Sequence, residues 1–155
     1  MVVYPDVQIL DVTGPLEVFA RTARWLMDQR RRREPAYTVE LLAARRGPVR
    51  SSSGLELVVR RSFMEVGGGI DTLLVAGGIG APRALGDRAL VRWLRQIAPR
   101  VRRLGSVCTG AFLLAEAGLL RARHPLGEET APPMAFTPVT VRGQPVSETL
   151  IEERR

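Results

Sequence analysis

Lysine is absent from this 155-residue chain: all 23 of its basic residues are arginine. Beside abundant Ala, Gly, Pro and Val, that absence reads as a GC-rich coding bias rather than as a binding surface. The net charge of +7 raises the question of nucleic acid or membrane contact. However, the arginines are scattered, except for RRRR at 30–33, which closes a predicted helix where cations complement the dipole. No helix-turn-helix or finger pattern is present, so direct nucleic-acid binding by this chain is not expected. Aromatics make up only 5% of the residues, leaving Leu, Val, Ala and Ile to build a core. No apolar run approaches the roughly 20 residues that span a bilayer. MVVYPDVQIL lacks a basic stretch followed by an apolar one, which predicts no secretory signal. One cysteine and one histidine exclude an internal disulfide and give too few soft ligands for zinc, so no metal and no cofactor is expected. A G-x-x-x-x-G-K-[ST] loop is missing, which argues against nucleotide hydrolysis. Together these features predict a protein of the reducing cytoplasm with no membrane partner.

What is present is an alternation of strand-like and helix-like segments within 45% hydrophobic and 25% charged residues. Met1–Tyr4 is a short apolar run that reads as the end or remnant of a first strand. DVTGPLEVFARTARWLMDQRRRR (11–33) has apolar residues at helical spacing, with Thr13 as its expected cap and Pro15 in the first turn. YTVELLAA (37–44) and LELVVRRSF (55–63) read as extended runs on either side of a Ser/Gly loop. DTLLVAGG (71–78) is continuously apolar and ends in glycines, as a strand buried in a parallel sheet does. DRALVRWLRQIAPR (87–100) is an amphipathic helix capped by Asp87. VRRLGSV (101–107) is the next strand and Thr109–Leu120 the next helix. This order predicts an open α/β sheet, whose ligands bind at the carboxyl ends of the strands. Three loops meet that description: those carrying Asp11, Gly77–Gly78 and Cys108.

SVCTG (106–110) has the shape of a strand-to-helix elbow that exposes a nucleophile. Ser106 stands where the commoner pattern has its first glycine. A thiol at a helix start faces unpaired N–H groups, which favour the thiolate. Asp11 at the mouth of the first helix suits a proton carrier, and the glycine amides suit donors to a developing negative charge. A plainer reading makes Cys108 a buried small hydrophobe, Gly77–Gly78 a turn and Asp11 a cap.

VVYPDVQILDVTGPLEVF, VRSSSGLELVV, DTLLVAGGIGA and SVCTGAFLLAEAGLL, in this order, resemble the ThiJ/PfpI superfamily, whose domain is like class I glutamine amidotransferases. Within it the chain looks most like the N-terminal domain of AraC-type transcription regulators, and next like isonitrile hydratases. The resemblance covers about residues 1–120. It implies a flavodoxin-like three-layer α/β sandwich with a mostly parallel sheet, commonly dimeric, acting on a small-molecule ligand or substrate. Position by position, it makes Cys108 the elbow nucleophile, Asp11 the acid beside its sulfur, and Gly78 with the Thr109 backbone the charge-stabilising donors. Three roles follow: a ligand sensor without its DNA-binding module, an isonitrile hydratase-like lyase, or a redox-responsive thiol protein.

Beyond Leu120 the pattern breaks. The family continues with a segment ending Thr-His-Trp, further strands and a closing helix. Here RARHPLGEE follows, and residues 121–155 hold five of the eleven prolines. They are expected to be an atypical or disordered Pro-rich tail with at most a weak hairpin about Arg142–Gly143. Arg123–Glu128 can be encoded CGC CAC CCA CTG GGC GAG, which one base along reads Ala-Thr-His-Trp-Ala. A frame change near codon 121 would therefore account for the missing strands and helix, and would make His124 a solvent-facing loop residue.

Overall fold

Val2 sits in the middle of a parallel sheet, bridged to Leu42 on one side and to Val75 on the other. The computed structural model describes residues 1–120. Around Val2 the parallel pairing runs outward to β1 (Leu42–Ala43), which pairs with β4 (Arg61–Ser62), and to β5 (Thr72–Val75), which pairs with β6 (Arg103–Ser106). The chain start is tied in by backbone bonds from Val2 N–H to the Leu74 carbonyl and from Val3 N–H to the Leu42 carbonyl. Met1–Tyr4 is thus the central strand of the sheet, although its regular ladder is one bridge long.

Strand alternation sorts the apolar residues onto two faces. Val2, Leu73 and Val75 pack with Ala81 and Ala84 of α2 (Ala81–Leu85), Leu90 and Leu94 of α3 (Arg88–Ile97) and Leu113 and Leu114 of α4 (Gly110–Glu116). Val3, Ala43 and Ala76 pack on the opposite side with Val12 of α1 (Ile9–Asp28) and with Val49 and Val59 of a hairpin. That hairpin joins β2 (Gly47–Arg50) and β3 (Glu56–Val59) in antiparallel register. The result is the expected flavodoxin-like, three-layer α/β arrangement. Each buried Leu or Val side chain contributes about 1.5–3 kcal/mol relative to exposure. The start of α3 is capped by Asp87 as expected: its carboxylate accepts from the N–H groups of Ala89 and Leu90.

Several local readings are corrected. The first helix begins at Ile9, before the expected Thr13 cap. Gln8 N–H is instead satisfied by the Gly77 carbonyl at 2.8 Å, so a tertiary bond starts the helix. Thr13 lies inside it and donates to the Ile9 carbonyl, and Pro15 falls in the second turn. The helix ends at Asp28, so Arg30–Arg33 do not occupy its last turn. Arg30 turns the chain with a φ of 52°, and Arg31 lies over the Trp25 ring at 5.2 Å. Of 37–44 only Leu42–Ala43 is strand. The 55–63 run divides between two sheets, and the residues ahead of the Ser/Gly loop form β2, a strand the sequence pattern does not signal. The tail at 121–155, including His124 and the Arg142–Gly143 turn, lies outside the described residues. Among the described residues no helix is long and apolar enough to cross a membrane.

Candidate functional site

Three segments converge at the carboxyl ends of the central strands. β5 runs out through Ala76 into Gly77–Gly78, and β6 runs out through Val107 and Cys108 into α4. The two exits are tied by Val107 N–H to the Val75 carbonyl at 2.9 Å. The first turn of α1 supplies Asp11 from the neighbouring strand's exit.

Cys108 holds a φ of 52°, a left-handed conformation that costs a non-glycine residue on the order of 1–3 kcal/mol and persists where surrounding structure enforces it. Gly110, two residues on, lets the helix pack closely on the sheet. A side chain at that position would run into the carbonyls of Val75 and Ala76, so α4 can start against the sheet only with glycine there. The resulting elbow leaves Cys108 exposed, which excludes the plainer reading of a buried core thiol.

Gly77 marks the centre of the site. A Cβ there would lie 2.7 Å from the Thr109 nitrogen, 2.8 Å from Asp11 Oδ2 and 2.9 Å from Cys108 Cβ. The amide, the carboxylate and the cysteine therefore surround one point beside the Gly77 backbone. Asp11 is fixed by the Gly77 N–H, which donates to its Oδ2 at 3.1 Å. The Gly78 N–H donates to Thr109 Oγ1 at 2.9 Å, and that hydroxyl lies 3.2 Å from the Gly78 carbonyl. The Gly78 amide is consequently occupied, and it can reach a ligand only by exchanging the threonine hydroxyl. The Thr109 N–H has no acceptor among the described residues.

Tyr4 is a site residue that the sequence did not single out. Its buried hydroxyl donates to the Ala76 carbonyl at 2.8 Å, on the same peptide unit whose N–H holds Asp11. Burial pushes the phenol up to about 12, and the nearby charges of Asp11 and Cys108 push the same way. Its only sequence signal is a polar-tipped aromatic at the exit of the first strand. An open cavity of about 510 Å³ lies in front of Cys108 and Thr109, with Gln8 and Ser52 on one side and residues of α2 and α4 on the other.

The DJ-1/PfpI family profile matches residues 1–129. The chain belongs to the DJ-1/PfpI family. This DJ-1/PfpI domain is 36% identical over 124 residues to an uncharacterized protein in the cpoL 5′ region of Streptomyces lividans, covering 80% of this chain and 82% of that one. It is 33% identical over 121 residues to isonitrile hydratase of Pseudomonas putida, covering 78% of this chain and 47% of the hydratase. The fold also superposes on the crystal structure of an AraC family transcriptional regulator from Pseudomonas putida. There the TM-score is 0.62 at 28% identity, over 77% of this chain and 60% of the regulator. The DJ-1/PfpI domain thus spans about half the length of the hydratase it matches.

Proposed function

We propose that this DJ-1/PfpI domain is a ligand-sensing domain of the kind found in AraC-type regulators, with Cys108 as its nucleophile and Asp11 as its proton carrier. The observation that carries the reading is the convergence of Cys108, Asp11 and the Thr109 amide on Gly77. Likeness to the AraC family regulator supports sensing. Gly78 and Thr109 supply the amides that steady a bound group, the Thr109 N–H, which has no acceptor among the described residues, acting first because the Gly78 N–H is engaged by the threonine hydroxyl. The expected partner is a small molecule, the expected assembly a homodimer, and the expected location the cytoplasm.

A second reading is favoured by the likeness to isonitrile hydratase. In it the Cys108 thiolate adds to the terminal carbon of an isonitrile, and Asp11 delivers a proton to that carbon, leaving a thioimidate. Water then adds to the same carbon, and collapse of the adduct expels the thiolate and releases the N-substituted formamide. The proton lost in the last step returns to Asp11. Incubation with an alkyl isonitrile separates the two readings. Formamide that disappears in Cys108→Ala and Asp11→Ala establishes the lyase. A folded protein that gives no formamide removes the lyase, and sensing then requires a saturable ligand-dependent rise in Tm that Cys108→Ala abolishes.

A further inference from the structure

Two large apolar side chains at the mouth of the site are left in water: Ile79 is 78% exposed and Phe112 58% exposed. Neither belongs to the packed core on either face of the sheet, so the fold does not need them there. Phe112 lies in the first turn of α4, directly after the elbow. Ile79 follows directly on the Gly77–Gly78 turn. Both line the cavity of about 510 Å³ in front of the thiol, together with Pro82 and Leu85 of α2. The polar side chains there, besides Cys108 and Thr109, are Gln8 and Ser52, which face each other at 3.4 Å. Among the described residues no charged side chain lines this cavity, in a chain with 23 basic and 16 acidic residues. A ligand carboxylate entering it would lose water without gaining a counter-charge, which is costly. An apolar group would cover Ile79 and Phe112 and gain from leaving water.

We infer that the site selects a ligand that bears an apolar group and no negative charge, with Ile79 and Phe112 as its specificity-determining walls. The proposal deepens, and rests on, the reading of Cys108 as the site's nucleophile. The selection acts against the chain's own net charge of +7, which by itself would draw in anions.

The test uses the full chain and three maleimides carrying methyl, benzyl and para-carboxybenzyl groups. Each rate at Cys108 is divided by the rate of the same reagent with a free cysteine peptide. The expected result is a benzyl rate about tenfold above methyl, as partial burial of a phenyl ring gives. The carboxybenzyl rate should fall back to the methyl level. Phe112→Ser and Ile79→Ser should each lose the benzyl advantage and keep the methyl rate. Equal rates for all three reagents, or a carboxybenzyl rate matching benzyl, would overturn the proposal. So would a benzyl rate that rises on dilution, since a second copy would then be covering the cavity. In parallel, ligand-observed NMR on Cys108→Ser compares benzyl alcohol and benzoate. If the thiol reacts with none of the reagents but the variant binds benzyl alcohol alone, the nucleophile reading falls and the selectivity stands. If the thiol reacts without discrimination, the selectivity falls and the nucleophile reading stands.

Discussion

Asp11 and Gly77 lie 66 residues apart in sequence, and the amide of the second donates to the carboxylate of the first at 3.1 Å. That bond joins the first turn of α1 to the exit of β5 and aims the carboxylate at the elbow bearing Cys108. The same peptide unit is held at its other end by Tyr4, whose hydroxyl donates to the Ala76 carbonyl. Side chains from both ends of the first loop therefore clamp one peptide plane.

Gly77→Ala tests how tightly the site is closed. A methyl group there meets backbone nitrogen, carboxylate and cysteine all under 3.0 Å, and backbone cannot swing aside as a flexible side chain can. The substitution should destabilise the domain by about 1–3 kcal/mol and slow alkylation of Cys108. Urea denaturation with a parallel maleimide rate measures both effects. An unchanged midpoint would show that the elbow is looser than its geometry.

Thr109→Val removes the hydroxyl that engages the Gly78 N–H and leaves that donor without its partner. The expected cost is about 1–3 kcal/mol, and Thr109→Ser should recover most of it. Equal stability of the Val and Ser variants would refute the hydroxyl's role.

Tyr4 gives a pH dependence at the alkaline end. Its phenol is raised from 10.0 to about 12 in the fold, so the unfolded chain releases its proton first. The stability tied to this group is complete below pH 10 and is lost as pH rises from 10 to 12. Denaturation of the parent and of Tyr4→Phe across that window should show the parent falling more steeply. Parallel curves would remove the clamp's electrostatic component.

Asp71 gives the opposite sign at the acid end. Its hydrogen bonds from Arg102, and next from Thr72, hold its carboxyl below the usual 3.8. The stability it adds is present above that value and fades as pH falls through the lower folded value. The pair is exposed on the surface, with Arg102 Nε 2.6 Å from Asp71 Oδ1, so salt should weaken the effect. Acid titration of the parent against Asp71→Asn, at low and high salt, checks both statements.

Elements with strong local signals were legible in the chain. The apolar run of β5, the Asp87 cap of α3 and the elbow at Cys108 each carry their cause within a few residues. The start of α1 was misplaced because a distant carbonyl, that of Gly77, satisfies Gln8. β2 is hidden by Gly47 and Pro48, whose composition suggests a loop, and its partner β3 lies across the Ser51–Gly54 turn. α2, five residues long, is too short to show a helical period. Cys108, Asp11, Gly78 and Thr109 are close together in space as their loop positions implied. Tyr4 escaped notice because its partner lies 72 residues away.

The most direct test of the account is the rate of Cys108 alkylation by N-methylmaleimide in the folded chain, set against a synthetic peptide spanning residues 105–115. A thiol held at a working elbow should react about tenfold faster in the fold than in the peptide. A folded rate equal to or below that of the peptide would contradict the assignment of Cys108 as the nucleophile.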